Sequence, residues 1–195
     1  MGNIFSIVPA ASCSTSILPA LPATICQLAV ALSEIDLIIF KGSAAGPTSM
    51  FTGADWASKI DNTEALGVKM KYLIGSGSLG EPEETVVQVS RHKEFVSKKV
   101  YPITFEVSEL SDPETYDYLR TLETGSVLPN IYFKTMANNF YGKVNGSGTD
   151  DGIEIDSIKV ALPLERGKEA YDKAIITIKF SASVSPDRGT YPLAL

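Results

Sequence analysis

Tyr72-Leu-Ile-Gly-Ser-Gly-Ser-Leu-Gly-Glu-Pro82 sets Gly75, Gly77 and Gly80 at the G-x-G-x-x-G spacing, directly behind an apolar, strand-like run. The fold class hangs on how it is read. In a dinucleotide-binding βαβ unit, the last glycine opens a helix whose N-terminal amides face a pyrophosphate, and an acidic residue follows roughly 20 positions on. Here Gly80 is followed by Glu-Pro-Glu-Glu-Thr-Val-Val-Gln-Val-Ser90, in which Val87 and Val89 alternate with Gln88. β-Branched residues at that spacing favour a pleated strand, and no amphipathic helix follows. Glu81, Glu83 and Glu84 would also put negative charge where the pyrophosphate should sit. The glycines therefore read as a flexible turn between two strands.

Working outward, the same strand period recurs. Val68 to Ile74 alternates, with Val68, Met70 and Tyr72 on one face. Ile35-Asp-Leu-Ile-Ile-Phe40 reads as a buried strand, and Asp55 to Ile60 as a short helix with Trp56 and Ile60 on one face. Val96 to Val107 sets Tyr101, Ile103, Phe105 and Val107 against Thr104 and Glu106, a half-buried pattern that pairs with 84–90 through the turn Arg91 to Glu94. The period then changes. Ser111 with Glu114 fits a capping box, or Asp112 caps with Pro113 at the first helical position. Tyr116, Leu119 and Leu122 or Glu123 keep helical spacing, and Gly125 suits a helix end, which predicts a helix over about 112–124. Strands are predicted again over 130–135 and 139–144, around the turn Met136 to Asn138, and in a second long pair over 153–162 and 174–184. The expected fold is mainly β (α+β), an antiparallel β-sandwich or barrel with one flanking helix. Residues 1–33 form an extended N-terminal arm, and 34–195 form one β-rich domain.

Hydrophobic residues make up 44% of the 195 residues, enough for a real core. The net charge of -6, with Lys98-Lys99 as the only basic doublet noted, repels nucleic acid and anionic membrane. Residues 1–33 contain no Asp, Glu, Lys, Arg or His. A secretory signal needs a basic start and an unbroken apolar core, whereas this arm has Pro9, Pro19 and Pro22. Ile17 to Leu32 is too short and too interrupted for a membrane span. Met1-Gly-Asn-Ile-Phe-Ser6 fits the myristoylation pattern without the usual polybasic second signal, and Ala10-Ala-Ser-Cys13 resembles a lipoprotein signal without its basic residues. The favoured reading is an uncharged arm packed on its own domain or on a neighbouring subunit.

No constellation for catalysis emerges. His92, the one histidine, sits in a charged turn away from any nucleophile elbow. Cys13 and Cys26 lack zinc-ligand spacing; a disulfide between them is possible in principle, and the plain reading is two small buried hydrophobes. Asp150, Asp151, Glu154 and Asp156 bring carboxylates together, but without the D-x-D-x-D-G ligand order of a calcium loop they read as a solvated acidic rim. Tyr132, Phe133, Phe140 and Tyr141 would stack bases or sugars only if basic residues interleaved them, so a core or sheet-face role is expected. Asn145-Gly-Ser147 is a glycosylation sequon only in a secreted chain. No catalytic, cofactor or metal site is expected.

The strand Tyr101-Pro-Ile-Thr-Phe-Glu-Val107, the helix Asp112 to Glu123 with Gly125, and the closing strands over 153–184 resemble in their order the tail tube proteins of long-tailed bacteriophages and their relatives in contractile injection systems. The resemblance covers about residues 66–185 and rests on pattern, not on a fixed motif. It implies a virion structural protein, not an enzyme, assembled in the bacterial host cytoplasm. Its partners would be copies of itself, closed into stacked rings that are often hexamers, and other tail or neck proteins. DNA would be passing cargo, held non-specifically if at all, and neither cofactor nor membrane is implied. The resemblance also implies that an arm such as Ile4 to Leu32 buries apolar side chains on a neighbour. A tail terminator or neck component stays open as an alternative, as does a surface β-sandwich that binds a glycan or protein.

Overall fold

The computed structural model describes residues 34–53, 55–62, 68–90, 93–107, 113–125, 128–145, 150–161 and 173–193. The apolar run Ile35–Phe40 forms strand β1, and burial on both faces explains its composition. Ile35, Ile38 and Phe40 enter one core, while Leu37 and Ile39 enter a second on the opposite face. Its one charged residue, Asp36, is paired with Lys134 on the adjacent strand.

The other strands are β2 (Lys71–Leu79), β3 (Glu83–Ser90), β4 (Lys93–Val107), β5 (Ile131–Thr135), β6 (Asn139–Gly142), β7 (Ser157–Ala161), β8 (Ala174–Ser181) and β9 (Asp187–Thr190). They form one antiparallel sheet in the order β7-β8-β4-β2-β1-β5-β6-β9, with β3 paired on β4. This sheet cannot be flat. Ile153 bridges to Ile131 at the start of β5, and soon afterwards the chain enters β7 at Ser157. Five inter-strand steps separate β5 from β7, about 24 Å in a flat sheet. The chain from Ile153 to Ser157 reaches at most about 14 Å. The sheet therefore curls until its β7 edge comes near β5, enclosing Ile103, Phe105, Ile131, Val160, Ile176 and Ile178 in the larger core.

Helix α2 (Pro113–Thr124) closes one end. Tyr118, Leu119 and Leu122 share a helical stripe and are buried, and Tyr118 meets the Phe40 ring edge-on at 5.9 Å. On the outer face of β1, β5 and β6, the segment after β1 folds back with helix α1 (Trp56–Lys59). Trp56 is fully buried there, 5.2 Å from Tyr132 and 5.4 Å from Phe140, and its indole N–H donates to the Met50 carbonyl at 3.2 Å.

The structure bears out the mainly β fold with a flanking helix, and it resolves the choice of architecture in favour of a single curled sheet. Three local expectations need correction. The glycine motif is not a flexible turn: Gly75 and Gly77 lie inside β2, facing Phe105 and the β4 backbone. The second long pair is shorter than expected, since β7 begins only at Ser157 and the chain after Ser181 tightens into a 3-10 turn over Ala182–Val184. Finally, Val68 is 64% exposed and lies outside β2, so it does not share the burial of Met70. The capping residues Ser111 and Asp112 lie outside the described residues, whereas Pro113 does occupy the first helical position.

Candidate functional site

Two surfaces stand out, and β4 contributes to both. β2 and β3 lie end to end along the same side of β4: Leu79 pairs with Ile103, the Gly80 N–H donates to Pro102 at 2.8 Å, and Glu83 pairs with Val100. β8 covers the other side of β4 only from Val100 to Val107. Beyond that point β3 and the first half of β4 continue as a two-stranded ribbon, with no further strand on either edge among the described residues. Seven residues of β4 extend the ribbon by about 20 Å.

The ribbon is anchored by charge and bare at Val86, Val87 and Val96. Near its base, Lys99 pairs with Glu84 at 2.7 Å, Lys179 with Glu83 at 2.6 Å and Lys98 with Asp156 at 3.4 Å. Exposed pairs of this kind contribute roughly 0–1 kcal/mol each. Val86 and Val96 face each other across the two strands at 49% and 44% exposure, and Val87 is 47% exposed. An isolated two-stranded hairpin is marginal in water, and unpaired strand edges are templates for pairing with another chain.

The second surface is a groove of 1270 Å³ at the end of the curled sheet opposite α2. Its walls include Glu34, Leu79, Tyr101, Phe133, Tyr141 and Phe180. The aromatic rings are stacked in pairs, Tyr101 on Phe180 at 5.6 Å and Phe133 on Tyr141 at 4.7 Å. Arg188, also in the wall, is held by Asn139 through contacts of 2.9 and 3.1 Å.

The residues singled out by their chemistry are dispersed. His92, Cys13 and Cys26 lie outside the described residues. Tyr132 and Phe140 are fully buried around Trp56, while Phe133 and Tyr141 stack on the opposite face, so the four aromatics make no common platform. Asp151 pairs with Lys41 at 3.0 Å, Asp156 points to Lys98, and Glu154 is exposed. A hydrogen bond from the Asn145 side chain, supported by Lys41, holds the Asp151 carboxyl below the usual carboxylate range. Among the described residues, no three His, Cys, Asp or Glu side chains are placed to share a metal ion.

Asp150 departs from the expected solvated rim, because it is 4% exposed. Its Oδ2 accepts the Met50 N–H at 2.7 Å and its Oδ1 accepts the Asn145 N–H at 3.0 Å, while its carbonyl accepts the Tyr132 hydroxyl at 2.6 Å. It ties the loop over the second core to the segment that closes the curl. Burial, with the charges of Asp151 and Asp150 adding to it, pushes the Tyr132 hydroxyl far above its ordinary range, so it stays a neutral donor. Asp150→Ala strands the buried Met50 N–H and removes charge-assisted bonds, with an expected loss of about 2–4 kcal/mol. Chemical denaturation reads that loss directly; an unchanged midpoint would refute this role for Asp150.

Sequence reasoning missed β9, whose residues Asp187-Arg-Gly-Thr190 carry no apolar side chain. It also missed the groove, which assembles from strands far apart in the chain. No family model and no curated protein matches this chain.

Proposed function

We propose that the chain is a structural subunit of a virion tail-tube-like assembly, in which identical copies join into rings that stack and let DNA pass. The observation that carries this reading is the projecting β3–β4 ribbon, with edges that no strand pairs among the described residues and the exposed side chains of Val86, Val87 and Val96. A ribbon that the described residues leave uncovered gains backbone hydrogen bonds and apolar burial by lying against another copy. The net charge of -6 supports the passage of a polyanion without adhesion to it.

Negative-stain microscopy and light scattering of the purified full chain, over a rising concentration series, test the reading. Rings or tubes with a fixed subunit repeat are expected. A particle of single-chain mass at the highest concentration would overturn it.

A further inference from the structure

We propose that Lys41 and Asn145 join in an intramolecular isopeptide bond, a side-chain amide that the folded chain makes for itself with Asp151 as the proton carrier. The Asp151 carboxylate bridges the two reacting groups. Its Oδ1 lies 3.0 Å from the Lys41 Nζ, and its Oδ2 accepts the Asn145 side-chain N–H at 2.9 Å. Nucleophile, base and leaving nitrogen therefore meet on one side chain.

The three residues come from separate segments, and each is held by its own backbone. Lys41 directly follows β1, and its N–H donates to the Asn130 carbonyl at 2.8 Å. Asn145 lies just beyond β6, and its N–H donates to the buried Asp150 carboxylate at 3.0 Å. The Asp151 carbonyl accepts the Asn130 side-chain N–H at 2.8 Å. Enclosure separates this group from an ordinary surface ion pair: the Lys41 side chain is 13% exposed, the lowest value among the lysines of the described ion pairs. Forming the amide removes a nearly buried ammonium, whose charge is costly away from water.

The chemistry closes on these residues alone. Asp151 takes a proton from the Lys41 ammonium, and the freed amine attacks the Asn145 Cγ. The new Nζ–Cγ bond forms, Asp151 returns its proton to Nδ2, and the Cγ–Nδ2 bond breaks. Of the three ammonium protons, one stays on the new amide and two leave on the departing nitrogen, which escapes as ammonium, so Asp151 ends ionised. Amide aminolysis is slow in water, but fixed neighbours reach effective molarities of about 10⁵–10⁸ M, and a positioned acid–base group adds about 10²–10⁴-fold. The inference goes beyond ring assembly, since the bond needs one molecule only.

Mass spectrometry of the purified full chain tests it. The parent is expected to weigh one ammonia less than its sequence. Its tryptic map should contain a branched peptide that joins the Lys41 and Asn145 segments, with cleavage after Lys41 lost. Asp151→Asn keeps the shape of the carrier but not its proton transfer, and Lys41→Arg keeps the charge but not the amine, so both are expected to lose the branched peptide and regain the full mass. Three results overturn the inference: a parent of full mass, an ammonia loss confined to one unbranched peptide at Asn145, which would be imide formation with its chain neighbour, or a branched peptide that persists in Asp151→Asn. The parent alone decides whether the bond exists, so a variant that fails to fold does not rescue the proposal. Rings without the branched peptide, or the branched peptide without rings, tell this bond apart from the assembly.

Discussion

Val86→Lys combined with Val96→Glu is expected to leave the purified chain as single molecules under conditions where the proposed assembly would have the parent form rings. The two valines are cross-strand partners on the ribbon, so opposite charges at these positions keep the ribbon's own strands attracted to each other. What is lost is the apolar surface offered outward. A valine taken from full exposure to full burial contributes roughly 1.5–3 kcal/mol, and these two start about half exposed, so together they amount to about 1.5–3 kcal/mol at each contact. That weakens association by about one to two orders of magnitude. The body should tolerate the change, because both side chains are nearly half exposed in the single chain and neither belongs to a core cluster. Light scattering gives the mass, and a thermal melt shows that the fold survives. Intact rings from this variant would remove the ribbon from the assembly account.

A large effect on stability is expected from a single methyl group at Gly75. A Cβ there would lie 2.2 Å from the Glu106 carbonyl oxygen and 2.9 Å from the Phe105 ring. The oxygen is backbone in β4, so it can yield only if β2 and β4 move apart, and that movement would open the larger core around Phe105. Overpacking costs of about 1–3 kcal/mol are typical, and a clash with fixed backbone belongs at the upper end. Gly75→Ala is thus expected to lower the unfolding midpoint by roughly 6–12 °C. Gly80→Ala is milder, since its nearest contact is the Pro102 ring at 2.9 Å. A melt of Gly75→Ala that superimposes on the parent's would show that β4 does not hold the glycine in place. A nucleotide-binding turn makes the opposite forecast, with stability kept and ligand binding lost.

These two cases show what was legible in the residues. The alternation in Ile103, Phe105 and Val107, the apolar run of β1 and the Pro113 start of α2 are local signals with local causes, and they matched the structure. The glycine spacing was legible as not being a dinucleotide site, but its positive reason was not, because that reason is Phe105, far along the chain on a partner strand. The polar β9 was invisible for a related cause: at the sheet edge it pairs through backbone with β6 and needs no apolar pattern. The exposed valines were legible as strand residues only. Whether a strand position is covered depends on whether another strand lies beside it, and β8 stops at Val100. Asp150 was readable as an acidic residue near others, yet its buried role depends on amides at Met50 and Asn145 that only the folded loop brings to it.

The strap between Ile153 and Ser157 works like the hoop on a cask. It fixes the girth of each subunit by its own contour length, since one end is fastened to β5 and the other runs into the edge strand β7, five strands away. A residue added there would slacken the hoop and let the staves spread, and every lattice built from such units would inherit the looser gauge.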